Sequence, residues 1–384
     1  KITFLSGRDG INKIRNQLKD DYELLNKLIS SKFKIKNTNN LLKLSENNKS
    51  INGDILKHEN LKIFSTKFYE VLNNLNKLFH NKKGTRTAFI YSNLVKVGIE
   101  LFSEILLANG YLQFEEDTKK YMIKNDTIDY KYGLKHKDYI KKYSKDSFKP
   151  ATFILITGKA SDDILDMQQE DKLQVIINTF NHISNKDGKH IKFVLGSRVM
   201  NEGISLKHVK EVHLLDVYFN LNRTDQVIGR AIRNCSHYNL MNKDNVFPTV
   251  DVFKYVVSLS KNEMSSEELM YKKAEYKYLL VKQVERLLKE VSIDCPLNRS
   301  GNIFKEELKK FKNCDKGKNT CPQICDYMDC NFKCDSKILN MKYYDSKTNK
   351  YKNIKKDNLD YTTFDYSLSK NEINNAKKLI KELY

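Results

Sequence analysis

The stretch RTAFIYSNLVKVGIELFSEILLANG, residues 86–110, joins a short apolar run to a helical pattern. The run has the length of a buried strand, and Gly110 is a natural end for the helix that follows. The alternation continues with apolar runs at 151–157, 191–197 and 212–216 and a helical pattern at 169–181. Because strands that alternate with helices require crossover connections, the sequence predicts an α/β fold with a mainly parallel sheet flanked by helices.

Helical spacing also predicts which side chains enter the core. Within 169–181 the apolar face holds Leu173, Ile176, Ile177 and Phe180. The pattern from Met264 to Val291 predicts a long charged helix whose core face holds Val281, Val284, Leu288 and Val291. Both faces are expected to be buried.

The charge balance favours an anionic partner. The 384 residues include 68 lysines and arginines against 48 aspartates and glutamates, a formal charge of +20. Such an excess favours nucleic acid, although a general bias toward Lys, Asn and Ile would produce the same charge. No run approaches the roughly 18 apolar residues of a membrane span. We therefore expect an intracellular protein with no membrane partner, whose seven cysteines are thiols or metal ligands.

Polar residues follow three of the predicted strands directly. In parallel sheets, ligands bind beyond the carboxyl ends of the strands. Hydroxyl, amide and backbone groups there can hold phosphates without reading bases, so we expect sequence-tolerant contacts with nucleic acid. The residues predicted to make these contacts are Ser92, Asn93, Thr157, Gly158, Ser197 and Arg198.

The segment DQVIGRAIRNCSH, residues 225–237, carries two arginines on a predicted helix. Spacings of four and three place Gln226, Arg230 and Arg233 on one face, and Gly229 allows a close approach of the backbone. Two guanidiniums side by side suit a triphosphate. A solvated basic helix would show the same pattern.

The segment LGSRVMNEGISL, residues 195–206, ends a predicted strand in a turn of small residues. Such a turn would put Ser197 and Arg198 near a backbone phosphate. Glu202 and Gly203 would then approach the nucleotide.

Together these segments resemble the second RecA-like lobe of superfamily 2 helicases. The resemblance covers roughly residues 61–258, where YSN (91–93), LGSRVMNEGISL and QVIGRAIR (226–233) match the fourth, fifth and sixth motifs in order. More specifically, the chain resembles the poxvirus and giant-virus type of this superfamily, which includes the early transcription factor small subunit and nucleoside triphosphate phosphohydrolase I. The resemblance implies that Arg230 and Arg233 are arginine fingers and that Gln226 lies beside them.

No G-x-x-x-x-G-K-[ST] phosphate loop and no DExH-like box occurs in the sequence. The nearest string, ITGKAS, has Ala160 after Lys159. The resemblance implies that ATP and Mg²⁺ are held mostly by an N-terminal RecA-like lobe preceding Lys1, so we expect no ATP hydrolysis by this chain alone. The predicted organisation is a helical connector (1–60), the RecA-like lobe (61–258) and a helical extension (259–384).

Residues 131–149, KYGLKHKDYIKKYSKDSFK, interleave seven lysines with Tyr132, Tyr139, Tyr143 and Phe148. Cations for the phosphates and rings for the bases suit a single-strand binding platform. The alternative is a solvated loop whose aromatic rings pack on the lobe.

Five cysteines fall within residues 314–334. Four thiolates could form a closed structural Zn²⁺ site, and the most compact set is Cys321, Cys325, Cys330 and Cys334, with Cys314 as an alternative ligand. Reduced structural thiols and disulfides are the other interpretations. Cys235 and Cys295 are expected to be packing residues.

The function that the resemblance implies is the C-terminal part of a DNA- or RNA-dependent ATPase in viral early transcription. Its expected partners are the N-terminal lobe and a viral RNA polymerase or transcription factor subunit, in the host cytoplasm or virion. Two alternatives stay open. One is a viral or plasmid replication or repair helicase, and the other is a non-catalytic scaffold that binds nucleic acid in a transcription complex.

Overall fold

A computed structural model describes residues 22–33, 40–44, 51–81, 84–157, 169–201, 204–242, 248–259, 263–295, 299, 303, 305–311, 321–335, 342–353 and 367–383. The chain forms two compact units, Lys1–Lys277 and Tyr278–Tyr384. None of the helices within these ranges is long and apolar enough to cross a membrane.

A six-stranded parallel sheet is the centre of the first unit. The strands of the chain are β1 (Lys43–Leu44), β2 (Ile51–Asn52), β3 (Ala88–Tyr91), β4 (Leu112–Gln113), β5 (Thr152–Ile156), β6 (Phe193–Gly196), β7 (Glu211–Leu214), β8 (Asp251–Lys254), β9 (Lys342–Asp345) and β10 (Lys350–Asn353). The sheet order is β4-β5-β6-β3-β7-β8, with every pair parallel. The pairs β1-β2 and β9-β10 are antiparallel.

Helices connect the parallel strands, as the sequence predicts. The helices of the described residues are α1 (Tyr22–Phe33), α2 (His58–Phe64), α3 (Thr66–Lys77), α4 (Leu101–Ala108), α5 (His136–Tyr139), α6 (Gln169–Val175), α7 (Leu221–Ala231), α8 (Ser266–Val291), α9 (Lys305–Lys310) and α10 (Ser367–Leu383). Of these, α4, α5, α6 and α7 lie between strands of the parallel sheet. Wider π-helical turns precede α4 at Val95–Glu100 and follow α6 at Ile176–Phe180.

Two hydrophobic clusters cover the two faces of the sheet. Alternate residues of β3 belong to different clusters: Ala88 and Ile90 to one, Phe89 and Tyr91 to the other. This is the period-two alternation of a strand buried on both faces. The α/β fold with helices flanking a parallel sheet is therefore confirmed.

Part of the predicted connector belongs to this core. Leu41 and Leu56 are completely buried, and the Asn26 side chain accepts a hydrogen bond from Leu42 N at 2.8 Å. The amide of Asn109, just after α4, donates to Leu56 O at 2.9 Å. The polar runs around these residues hide this contribution in the sequence.

Two predicted core faces differ from the structure. Ile177 is 58% exposed although Ile176 and Phe180 are buried, because the chain leaves regular α-helical geometry at Ile176 and the spacing rule fails there. On α8, Val284 and Leu288 are 57% and 61% exposed.

In the unit Tyr278–Tyr384, long amphipathic side chains form the buried face of α8 in place of the predicted apolar residues. Along the part of α8 in this unit, Tyr278 and Arg286 are the buried residues. The Arg286 guanidinium lies 4.6 Å from the centre of the Phe332 ring and its Nε lies 3.3 Å from Asp326 Oδ2. An apolar pattern does not reveal a face made from amphipathic side chains.

A buried lysine joins three segments at the amino end of β6. Lys192 is fully buried, and its Nζ donates to Tyr130 O at 2.9 Å and to Asp187 O at 3.3 Å. The Nζ also lies 4.4 Å from the centre of the Phe79 ring. Burial lowers the pKa of Lys192 to about 7.

This pKa predicts a specific dependence of stability on pH. An unfolded lysine titrates near 10.4, so between about pH 7 and 10 the folded chain binds fewer protons than the unfolded chain. The free energy of unfolding should therefore rise with pH in this window, by up to about 1.4 kcal/mol per pH unit from Lys192. Lys192→Met should remove this rise, measured by denaturant unfolding at a series of pH values.

The exposed Lys207 supplies the matched control, because Lys207→Met should keep the slope of the unsubstituted chain. Equal slopes for the Lys192→Met chain and the unsubstituted chain would show that the buried amine is not neutral in the fold.

Candidate functional site

The carboxyl ends of four neighbouring strands bring the predicted motif residues to one edge of the sheet. β5, β6, β3 and β7 are adjacent in that order. Thr157, Ser197 and Ser92 directly follow the first three, and Asp216 lies just beyond the fourth. These four positions therefore form a row along the edge where ligands of parallel sheets bind.

The carboxylate of Asp216 organises the middle of this row. Its Oδ2 accepts hydrogen bonds from Ser92 Oγ at 2.7 Å, Asn93 N at 2.6 Å and Leu94 N at 3.2 Å. A Cβ on Gly98 would collide with Ser92 Oγ, so the following helix can begin here only with glycine at that position. Asp216 is not among the predicted site residues, although an aspartate just after an apolar strand is a detectable signal.

Ser92 has a different position from the predicted one. Its side chain is fully buried, and its hydroxyl donates to the Asp216 carboxylate and accepts a hydrogen bond from Leu94 N at 3.1 Å. The prediction that this hydroxyl contacts nucleic acid is therefore corrected: Ser92 holds the turn. Asn93 is half-buried and accepts a hydrogen bond from Tyr91 OH at 3.0 Å.

Ser197 and Arg198 differ sharply in exposure. The Ser197 hydroxyl is buried and has no hydrogen-bond partner in the described structure. A buried hydroxyl without a partner is costly, and a ligand could satisfy it. Arg198 next to it is exposed, and Thr157 on the adjacent strand end is half-buried.

Both predicted arginine fingers reach the same loop. Arg230 Nη1 donates to Ile204 O at 3.4 Å, and Arg233 Nη1 donates to Ser205 Oγ at 2.6 Å. Leu206 N donates to Arg230 O at 2.8 Å, which ties the loop to α7. The structure thus brings the segment 195–206 together with the segment 225–237.

The two arginines are not equivalent. Arg230 lies within α7 and is half-buried, whereas Arg233 lies beyond Ala231, the last residue of that helix, and is exposed. Gln226 is also exposed. A Cβ on Gly229 would meet nothing within 4 Å, so packing within the described chain does not require glycine there.

Several predicted residues have no described position. Gly158, Glu202, Gly203 and Cys314 lie outside the described residues. Across the described ranges, no group of three or more His, Cys, Asp or Glu side chains could hold a metal ion.

The cysteine patch does not fit a zinc site. Cys295 pairs with Cys334 and Cys325 with Cys330, with Cα atoms 5.8 and 4.9 Å apart. Cys321 is also disulfide-bonded. This corrects the predicted zinc ligands and the interpretation of Cys295 as a packing residue, because spacing in sequence cannot distinguish thiolates around a metal from thiols close enough to pair.

Cys235 also departs from its predicted packing role. It is exposed and carries a free thiol.

Comparison with known proteins identifies the family. Residues 70–235 match the helicase conserved C-terminal domain. The chain is 49% identical over 386 residues to an Acanthamoeba polyphaga mimivirus protein named as an ATP-dependent RNA helicase, an alignment that covers 98% of this chain and 33% of that protein.

Two further relatives come from other viruses. The early transcription factor 70 kDa subunit of Yaba monkey tumor virus is 27% identical over 61% of this chain and 35% of its own length. A termination factor NPH-I homolog of African swine fever virus is 29% identical over 54% of this chain and 30% of its own length.

The chain spans about a third of the length of each of these three relatives. The matched domain contains five of the six strands of the parallel sheet, all but β8, together with the row of motif residues at its carboxyl edge and both arginines. Residues 70–235 of this chain therefore match a helicase C-terminal domain, and the chain is similar to giant-virus and poxvirus proteins of this helicase type.

Proposed function

We propose that this chain is the C-terminal part of a nucleic-acid-dependent ATPase, in which Arg230 and Arg233 act on an ATP bound by a preceding RecA-like lobe. The observation that carries the proposal is the convergence of both guanidiniums on the Ile204–Ser205 loop. The mimivirus relative is about three times as long as this chain, which leaves room for such a lobe.

The contacts of the arginines support a role in charge neutralisation. The acceptor of Arg233 in the described structure is the hydroxyl of Ser205, which is neutral. Arg233 forms no ion pair with any carboxylate of the described chain. A guanidinium held this way keeps its charge available for the phosphate oxygens of a transition state. A non-catalytic scaffold would have no use for this arrangement.

The reaction needs parts that this chain does not supply. Magnesium and the phosphate loop would sit on the preceding lobe, and this chain would complete the site when the two lobes close. Hydrolysis would then depend on closure, because an arginine finger acts only when the phosphates lie within its reach. Repeated closure with nucleic acid held on both lobes would move the protein along the strand.

We infer that the carboxyl edge of the sheet holds this strand. Arg198 offers an exposed guanidinium to this strand, whereas the Ser197 hydroxyl beside it is buried and has no hydrogen-bond partner in the described structure. Asn93 and Thr157 stand on neighbouring strand ends. Contacts of this kind reach phosphates and sugars, so binding to DNA or RNA should tolerate any sequence.

The names of the relatives support a place in viral transcription. They include an RNA helicase, an early transcription factor subunit and a termination factor homolog. We propose the same process for this chain, with a viral RNA polymerase or transcription factor subunit as partner in the host cytoplasm or virion.

Loss of either finger should slow hydrolysis in the complete protein. Arg233→Ala and Arg230→Ala should each lower kcat for ATP by about 10³-fold or more, with a much smaller change in KM, because the charge acts in the transition state. Steady-state ATPase with saturating nucleic acid measures this effect. Arg223→Ala is the matched control, since Arg223 lies on the same helix but bonds to Tyr218 OH at 3.0 Å. A kcat for Arg233→Ala within twofold of the kcat for Arg223→Ala would refute the arginine-finger role of Arg233.

The purified 384-residue chain should bind nucleic acid but show no ATP turnover above background. Phosphate release measured with and without oligonucleotide tests this expectation. Turnover that Arg233→Ala abolishes would mean that the chain contains a phosphate site of its own.

A further inference from the structure

The basic insertion, residues 131–149, lies at the opposite edge of the sheet from the helicase motifs. It connects β4 to β5 and returns at the amino end of β5. Tyr130 N donates to Lys149 O at 3.0 Å, and Ala151 N donates to Ile128 O at 2.7 Å. These bonds close the base of the insertion next to the first residue of β5. Its side chains therefore belong to the amino edge of the sheet.

The insertion concentrates positive charge on an exposed surface. It contains seven lysines and two aspartates, and all seven lysine side chains are exposed. The whole insertion is described, and the ion pair within it joins Lys141 Nζ to Asp138 Oδ1 at 3.4 Å. Most of this charge is therefore not neutralised within the insertion.

The aromatic rings of the insertion divide into an inner and an outer set. Tyr139 and Phe148 are buried and pack edge to face, with ring centres 5.2 Å apart. Tyr132 and Tyr143 stack in parallel at 4.9 Å with an angle of 2° between their planes, and Tyr143 is 41% exposed. The inner rings form the small core of the insertion. The outer pair presents a flat ring among the lysines, which is how single-strand binding proteins receive bases.

A cleft of about 1130 Å³ lies on the same edge of the sheet. The charged side chains of its lining are Lys77, Lys186, Lys210, Glu211 and Asp251, three lysines against two carboxylates. Lys210 pairs with Asp251 at 2.9 Å, whereas the exposed Lys77 and Lys186 make no ion pair within the described chain. The cleft therefore also carries net positive charge.

Arg86 joins the cleft to the insertion. Its Nε donates to Asn81 O at 2.9 Å and its Nη1 to Lys131 O at 3.2 Å, while its backbone N donates to Lys186 O at 2.9 Å. The buried Lys192 adds a second link through Tyr130 O. One set of hydrogen bonds thus fixes both features in a continuous basic surface.

Like charges are held close together on this surface. Partial burial and the neighbouring charge of Lys189 lower the pKa of Lys149. Clustered cations repel one another, and a polyanion that lies across them relieves this repulsion.

We propose that the basic insertion and the adjoining cleft form a second binding surface for single-stranded nucleic acid, separate from the helicase motifs. The lysines contact phosphates, and a base stacks on the exposed face of Tyr143. The inference rests on the proposed function for the identity of the strand, since the same nucleic acid would pass the carboxyl edge. A second surface lengthens the contact with the strand, which would raise affinity without contributing to the chemical step.

Removal of four charges tests the phosphate contacts. The fourfold variant is Lys135→Gln, Lys137→Gln, Lys141→Gln and Lys142→Gln. In this variant the slope of the logarithm of oligothymidine affinity against the logarithm of salt concentration should become less negative by about 0.7 for each lysine that contacts a phosphate. Fluorescence anisotropy of a labelled oligothymidine across a salt series, with the 384-residue chain, measures the slope. The charge-matched control replaces the exposed Lys62, Lys272, Lys273 and Lys277 by Gln. Equal slopes for the two fourfold variants overturn the proposal.

Two substitutions of Tyr143 test the stacked base. Tyr143→Phe keeps a ring and should bind oligothymidine within twofold of the unsubstituted chain. Tyr143→Leu keeps apolar bulk against Tyr132 and Tyr139 but has no ring, so it should bind roughly tenfold more weakly. Circular dichroism shows whether each variant folds. Oligothymidine binding by a folded Tyr143→Leu chain that equals that of the unsubstituted chain overturns the stacking role. If Tyr143→Leu weakens the binding of an acidic peptide as much as the binding of oligothymidine, the surface binds a protein partner instead.

Arg198→Gln separates this proposal from the general function. If Arg198→Gln weakens binding and the fourfold insertion variant matches its control, the second surface is overturned while the motif edge stands. If the insertion variant weakens binding and Arg198→Gln does not, the second surface is supported and the motif-edge contact fails. Absence of any oligonucleotide binding by the unsubstituted chain would overturn both.

Discussion

All six strands of the central sheet run in the same direction, and this constraint determines which side chains can meet. Parallel hydrogen bonding puts every carboxyl end on one edge and every amino end on the other. Residues far apart in sequence, such as Thr157, Ser197, Ser92 and Asp216, therefore share one edge. The basic insertion and the cleft occupy the other edge for the same reason, so the sheet separates the motif edge from a second charged surface.

The charge of the chain is distributed in two ways. Charges withdrawn from solvent are hydrogen-bonded or neutralised, as in the half-buried Asp216 carboxylate with its three donors and the buried Lys192 amine with its lowered pKa. Exposed cations such as Arg198, Arg233 and the insertion lysines have few carboxylate partners. Folding stability needs the first arrangement, whereas a polyanion is the natural partner of the second.

The sequence predicts the sheet far better than its surroundings. Four apolar runs become β3, β5, β6 and β7, because a buried parallel strand must be apolar on both faces. The apolar pattern does not predict the edge strands, because β4 has two residues and most of β8 is exposed. Ile177 leaves its predicted face at a π-helical turn that helical spacing cannot foresee. The face of α8 is built from Tyr278 and Arg286, which an apolar pattern overlooks.

The candidate site likewise has features that the sequence predicts and features that it does not. The resemblance implies that the segments 195–206 and 225–237 both serve the nucleotide, and in the structure Arg230 and Arg233 contact Ile204 and Ser205. A motif does not predict how exposed each of its residues is, because exposure depends on packing. The burial of Ser92 and its contact with Asp216 therefore became apparent only in the structure. Cysteine spacing is equally ambiguous, because paired thiols and metal ligands need similar separations.

The central claim is that the guanidinium of Arg233 stabilises a transition state on an ATP bound by another lobe. Affinity for ADP with aluminium fluoride, compared with affinity for ADP alone in the complete protein, tests it most directly. Arg233→Ala should remove most of the extra affinity for the transition-state analogue and leave ADP binding nearly unchanged. A variant that keeps the full difference between the two ligands would contradict the claim.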